Sequence, residues 1–273
     1  MGEMNFVPRK NIVWIASYPK SGNTWMRSIL QCATQGSVSI NNMGNLIPSF
    51  NDCVERVAYD RGLRGIDDPA DLWADTQRWI SSLGGNRVIK THNMCGTFGG
   101  AQHPLSEVTH SAIHIVRDPR DVAVSYANHY GHSVSDAAVM LQREDNLAHE
   151  AGHAFRKAIL GSWQMNVTSW LEAPFPVLTL RYEDMLQTPH EAISQVVTFL
   201  KMTPAVEIDE IVRMTSFKKL SRMERADGFI EKSRNQARFF NKGVSGQWHS
   251  HKRDLQPLAE AFAPLIEKLG YEV

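Results

Sequence analysis

Lys20-Ser21-Gly22-Asn23-Thr24 sets a cation, a glycine and two hydroxyls directly after an apolar run from Asn11 to Ser17. Such a loop binds an anion when a helix follows it, because the free N–H groups of the first turn and the positive end of the helix dipole converge there. Phosphate is the natural ligand. The order differs from a Walker A loop, where Gly-Lys-Ser/Thr closes the motif and the hydroxyl takes magnesium; here the lysine precedes the glycine. A plain strand-to-helix connection with a solvated lysine reads the same way, so the loop alone does not name its ligand. A second basic segment, Arg117-Asp118-Pro119-Arg120-Asp121-Val122-Ala123-Val124-Ser125, follows another apolar run. A helix starting at Pro119 turns Ser125 back toward Arg117, and a guanidinium beside a hydroxyl can grip a second phosphate. Taken singly, Arg117 reads as a surface ion pair to Asp118 or Asp121, and Ser125 as a helix hydroxyl bonded to its own backbone. Two basic loops at two strand ends make that coincidence a poorer account.

These loops need strands and helices to position them. Asn11 to Ser17, Arg87 to Lys90, Ser111 to Val116 and Phe175 to Arg181 are short apolar runs, and helix-compatible residues run from Asn23 to Gln35. Unbroken apolar strands alternating with helices predict an α/β fold with a mostly parallel sheet covered on both faces. Pro119 fits the first turn of a helix reaching Tyr130, where its missing N–H costs nothing. Ser135 or Asp136 is the expected cap of the next helix, and Ala151 to Trp170 reads as one long helix. Thr188-Pro189 opens a helix to Leu200, Pro204 begins another, and Leu255 to Leu269 has helical apolar spacing. Asp227 to Gly246, rich in Arg, Lys, Asn, Gly and Ser, reads as a long loop of the functional kind.

Composition bounds the function classes. With 273 residues, 42% hydrophobic, and 29 basic against 29 acidic side chains, the chain is read as one α/β domain over 1–273. A net charge near zero argues against nucleic acid or an anionic membrane as partner. Any anion is therefore bound locally. Cys32, Cys53 and Cys95 are too few and too irregular for a disulfide framework or a zinc site, and a reducing cytoplasm is expected. No stretch reaches the ~18 apolar residues of a membrane span, no signal-peptide apolar segment opens the chain, and Phe6 spoils the myristoylation pattern after Gly2.

Taken together, Tyr18-Pro19-Lys20-Ser21-Gly22-Asn23-Thr24-Trp25 and Arg117 to Ser125 resemble the two donor-binding motifs of the nucleotide-dependent sulfotransferases, in the family's order and at roughly its separation. Their donor is 3′-phosphoadenosine 5′-phosphosulfate (PAPS). Lys90-Thr91-His92 looks like the family's Lys-Thr-His segment, Arg181-Tyr182-Glu183-Asp184-Met185 like the segment after its fourth strand, and Thr215-Ser216-Phe217 like its adenine-contacting turn. Phe239 to Trp248 is similar to the loop that closes over the 3′-phosphate. It departs at Asn241, where the family has arginine before Lys242-Gly243, and at Gln247-Trp248-His249, where the family has Asp-Trp-Lys. The first departure removes a guanidinium that Lys242, Gly243 and Arg238 must make good.

The resemblance implies a P-loop-like three-layer fold and an enzyme of the EC 2.8.2 class, moving a sulfonate from PAPS to a small-molecule or natural-product hydroxyl, or alternatively an amine, with no metal required. It implies His92 as general base, and Lys20 and Lys90 on the leaving and transferring groups. It also implies Lys20, Ser21, Gly22, Asn23, Thr24, Trp25, Arg117, Ser125, Tyr182, Thr215, Phe217, Lys242 and Gly243 as donor-binding residues. An imidazole suits proton acceptance, and a cation at the leaving oxygen favours the transition state. The character is closest to bacterial small-molecule sulfotransferases; a homo-oligomer is left open. Met43, Phe50, Trp73, Phe98, Tyr130 and Met140 are candidates for either the acceptor pocket or plain core. Competing readings are a magnesium-dependent phosphoryl-transfer enzyme and a non-catalytic nucleotide-binding scaffold.

Overall fold

The computed structural model describes residues 9–63, 69–149, 157–232, 238–240 and 243–272, so the expectations at Asn241 and Lys242 lie outside the described residues. The first half runs β1 (Ile12–Ser17), α1 (Asn23–Gln35), α2 (Met43–Leu46), α3 (Phe50–Asp60), α4 (Trp73–Ser82), β2 (Arg87–Thr91), β3 (Gly96–Phe98), β4 (Ala101–His103), β5 (Thr109–Val116) and α5 (Pro119–Tyr130). It continues with α6 (Val134–Gln142), β6 (Leu147–His149), β7 (Lys157–Ile159), α7 (Trp163–Leu171), β8 (Val177–Arg181), α8 (Tyr182–Gln187), α9 (Pro189–Phe199), α10 (Ile208–Met214), α11 (Phe217–Asp227) and α12 (Lys252–Lys268).

β2, β1, β5 and β8 form a four-stranded sheet in that order, every pair parallel. Both faces of β1 are buried, as an uninterrupted apolar strand requires. Ile12, Trp14 and Ala16 join one core with Phe50, Trp73 and Trp170 from α3, α4 and α7. Ile15, with Ile113, Ile115 and Leu180, joins the other against Met26 and Ile29 of α1 and Ile193 of α9. A third core, built on Val122, Leu141, Trp163, Leu258 and Phe262, packs α5, α6, α7 and α12 together. Phe50 and Trp73 therefore belong to the core, not to an acceptor pocket. Both rings sit against the buried His103, with centroids 4.9 and 5.3 Å away, and each such burial is worth about 1.5–3 kcal/mol. Phe98 packs edge-on against Trp73, Met43 is buried, and Met140 lies on the α5–α6 core.

Three expectations are corrected in detail. Ala151 to Trp170 is not one helix: Lys157–Ile159 pairs antiparallel with β6, and α7 starts only at Trp163. Gly161 makes the turn between that strand and α7. It holds a left-handed φ of 60°, and the Ser162 hydroxyl after it accepts from Met165 N as the cap of α7. The cap of α6 is Ser133, whose hydroxyl accepts from Asp136 N and donates to the Asp136 carboxylate. α10 starts at Ile208 and not at Pro204, because Ala205 N is drawn away to the Ala33 carbonyl at the end of α1. Cys32, Cys53 and Cys95 are free thiols.

Candidate active site

In a parallel sheet every strand delivers its following loop to the same edge, and ligands bind there. The loop after β1 brings Lys20 to that edge, the end of β2 brings Lys90 and His92, the turn after β5 brings Arg117, and the turn after β8 brings Tyr182. These residues line one cavity of about 990 Å³. Of the donor and catalytic residues read from the sequence that fall among the described residues, all line it except Ser21, which is wholly buried.

The loop after β1 is shaped for a ligand. Lys20 holds φ 71°, a left-handed conformation that costs a non-glycine residue about 1–2 kcal/mol. Gly22, at φ 112°, caps α1, and a Cβ there would stand 2.7 Å from Tyr182 Cδ2, so glycine is required on two counts. Asn23 turns its amide back onto β1, donating to the Ile15 carbonyl and the Ser17 hydroxyl, which leaves its contribution to an anion with the main chain. Burial, then the neighbouring charges of Arg117 and Lys90, pull the Lys20 ammonium down to about 7 against the opposing pull of Glu231. Its Nζ lies 3.2 Å from His129 Nδ1 and 4.3 Å from the Phe239 ring centre.

Arg117 is no surface residue. Only 5% exposed, it donates to the Lys20 and Val244 carbonyls at 3.2 Å each, approaches Asp121 at 3.6 Å, and sits over the Tyr182 ring with 4.4 Å to its centre. It thus ties the β1 loop to the segment starting at Gly243. Asp121 completes that tie by accepting from Gly246 N and Trp248 N. Trp248 packs on the Arg120 guanidinium at 3.7 Å, so the altered Gln247-Trp248-His249 end keeps an anchored indole. Ser125 faces the same cavity from α5, and Thr215, whose hydroxyl donates to the Ile211 carbonyl, faces it with Phe217 from the far side. Trp25 stands edge-on to Tyr182. The Nε of Arg117 and the Nε1 of Trp25 are buried without a hydrogen-bond partner among the described residues.

His92 is fixed by its own main-chain partner. Its Nδ1 lies 2.7 Å from the Ser17 carbonyl, which can only accept, so Nδ1 carries the proton and Nε2 is the free base. Burial, with Lys90 adding its charge, pushes its pKa down to about 3. His103 and His114 are pushed equally low by burial, but they sit in the core.

Two cavity-lining side chains escaped sequence reading. Glu231 reaches into the cavity from the stretch read only as a loop, and Arg27 meets it from α1. Arg27 had one legible signal, its place one turn beyond Thr24 on the same helix face; an aperiodic loop gave none for Glu231.

The model of the sulfotransferase domain matches residues 10–269. The chain belongs to the sulfotransferase family. Among similar proteins, this sulfotransferase is 28% identical to the flavonol 3-sulfotransferase of Flaveria bidentis, covering 99% of this chain and 85% of the relative. It is 28% identical to mouse sulfotransferase 1A1 over 79% of this chain and 69% of the relative. Its fold matches mouse SULT7A1 complexed with PAP at a TM-score of 0.59, with 19% identity over 98% of this chain and 87% of that one. Retinol dehydratase in complex with androsterone and PAP matches at 0.62, with 17% identity over 98% and 84%.

Proposed function

We propose that this sulfotransferase takes PAPS as donor and passes its sulfonate to a hydroxyl of a small-molecule or natural-product acceptor, releasing adenosine 3′,5′-bisphosphate (PAP). The observation that carries this reading is the convergence of Lys20, Lys90, Arg117 and a neutral, correctly protonated His92 on one cavity at the carboxyl edge of the sheet. The donor supplies an activated sulfur–oxygen bond to a phosphate leaving group. Lys20 and the first N–H groups of α1 hold the 5′ end and stabilise the charge that grows on the leaving oxygen. Lys90 steadies the group in transit. Nε2 of His92 takes the acceptor's hydroxyl proton as the new sulfur–oxygen bond forms and the old one breaks. Arg117 and Ser125, with Gly243 and Lys242, hold the 3′-phosphate; Trp25, Tyr182, Thr215 and Phe217 surround the base. Tyr130 faces the cavity from the acceptor side. Flavonol 3-sulfotransferase, by its name, acts on a small hydroxylated molecule, in keeping with such an acceptor. A cytoplasmic location belongs to the same proposal; no described helix is long and apolar enough to cross a membrane.

Thermal denaturation tests the donor assignment. At a hundredfold excess over Kd, a ligand binding only the folded state adds about 2.7 kcal/mol, or roughly 5–10 °C for a chain of this size. PAP is expected to give that shift and ATP with magnesium little; the reverse would replace the reading with phosphoryl transfer.

The loop beginning at Gly243 makes a separate prediction. Gly243 holds φ 62°, and a Cβ there would lie 2.1 Å from Phe217 Cδ2. Gly243→Ala should therefore weaken PAP by about tenfold or more, the loop being unable to seat, while the melting temperature without ligand moves by no more than a few degrees. Unaltered affinity in that variant would remove the loop from the donor site.

A further inference from the structure

The carboxylate of Glu231 occupies the cationic end of the cavity. Arg27 Nη1 lies 2.5 Å from one oxygen; Thr24 Oγ1 donates to the other at 3.5 Å, and Lys90 Nζ stands 4.0 Å from it. Arg27 is 2% exposed and spends its second nitrogen on the Ile47 carbonyl, so this is a built position and not a chance surface pair. Burial works against the charge of Glu231, but Lys90 and Arg27 outweigh it and hold the acid near 2. It is a carboxylate at any working pH.

The residue sits at the end of a short strap after α11. Asn41 secures the strap, accepting from Ile230 N and donating to the Asp227 and Gly228 carbonyls. Phe229 anchors it among Phe239 and Phe240, while Ile230 points outward at 75% exposure. Glu231 is the strap's inward reach.

A carboxylate and a sulfonate ask for the same partners, charge-assisted donors around anionic oxygens. Two such anions cannot share Thr24 and Lys90, since like charges at that separation repel strongly in a partly buried site. We propose that Glu231 is an internal occupant of the sulfonate position and so sets the preference of the site between donor and product: the carboxylate leaves Lys90 and Thr24 when PAPS binds and stays when PAP binds. This rests on the donor assignment above, in which the first turn of α1, where Thr24 stands, holds the 5′ end and Lys90 steadies the sulfonate. PAPS must displace the carboxylate and thereby release the strap. PAP lacks the sulfonate and need not. Loss of the sulfonate in transfer lets Glu231 return.

Calorimetric titration of PAPS and of PAP, without acceptor, tests the proposal in the unaltered chain, E231Q, E231A and K90M. E231Q keeps the shape and a hydrogen bond to Arg27; it should tighten PAPS about tenfold and PAP less than about twofold, with E231A moving the ratio in the same direction. K90M should weaken PAPS more than PAP. In the unaltered chain, hydrogen exchange over 228–232 should rise with PAPS and not with PAP. Equal tightening of both nucleotides would reduce Glu231 to a general field effect and overturn the proposal. Weaker PAPS in E231Q, or equal exchange with both ligands, would overturn it as well. Failure of the unaltered chain to bind either nucleotide is a different result: the donor assignment falls, and this inference with it.

Discussion

His92→Ala is expected to lose about 10²–10⁴ in turnover, the usual worth of a positioned general base, while binding PAP as the unaltered chain does. The first half follows from geometry. The Ser17 carbonyl holds the proton on Nδ1 at 2.7 Å, leaving Nε2 as the acceptor inside the cavity. The second half follows because the cations grouped around the proposed donor site, Lys20 and Arg117, do not depend on the imidazole for their own contacts. A residue that merely pins β2 to β1 would behave otherwise: its loss would lower the melting temperature and donor affinity together. The pH profile gives an independent readout. Burial and then Lys90 push the imidazole pKa down to about 3, so the base is already deprotonated throughout the working range and is lost only as pH falls toward that value. kcat/KM for the donor, which reports the free enzyme, should show no acid limb belonging to His92 between pH 5 and 8. An acid limb near 6.5 that disappears in His92→Ala would mean a water-like imidazole and a different site geometry.

What the sequence disclosed follows from how each feature is encoded. The sheet and the edge that carries its loops were legible because β1 and the second half of β5 are buried on both faces and are mostly apolar, and because Pro119 and Gly22 punctuate the two helices that start there. Those signals are local. Arg117 was legible as a strand-end residue, but its alternative reading as a surface ion pair fails, since nothing local shows that Tyr182 and Val244, far along the chain, cover it. The break at Gly161 was missed for the same kind of reason. Its flanks are helix-compatible, and what ends the helix is the pairing of Lys157–Ile159 with β6, assisted by Asn93 accepting from Ile159 N. Phe50 and Trp73 could not be divided between core and pocket, because both destinations favour large apolar rings. Glu231 was invisible because its place in the cavity exists only when the segment after α11 is folded onto α1. Periodicity encodes faces of elements; it does not encode which loop returns to which site.

Replacing Lys20 is the sharpest test of the donor end. Lys20→Met should cost about 10²–10³ in turnover, the scale of losing one preorganised charge from a leaving group. Lys20→Arg keeps the charge but not the point-like ammonium, and should retain donor binding better than turnover. The lysine is held near pKa 7 chiefly by burial, next by Arg117 and Lys90, with Glu231 opposing. The sign is then settled: the ammonium is present below about 7 and is lost above it, so PAP affinity in the unaltered chain should fall as pH rises from 7 to 9, by up to about tenfold per unit. Binding an anion restores the ammonium. Titrations near pH 8 in buffers of different ionisation enthalpy should accordingly show uptake of a proton approaching one per PAP, and Lys20→Arg, charged throughout, should show almost none and a flat profile. The left-handed backbone adds a stability readout. Since φ 71° suits glycine and strains lysine, Lys20→Gly should be more stable by about 1 kcal/mol and yet inactive, which is the signature of strain retained for function. A Lys20→Gly variant that is less stable, or a flat PAP profile without proton uptake in the unaltered chain, would show that the lysine is an ordinary solvated cation and that the leaving group is stabilised elsewhere.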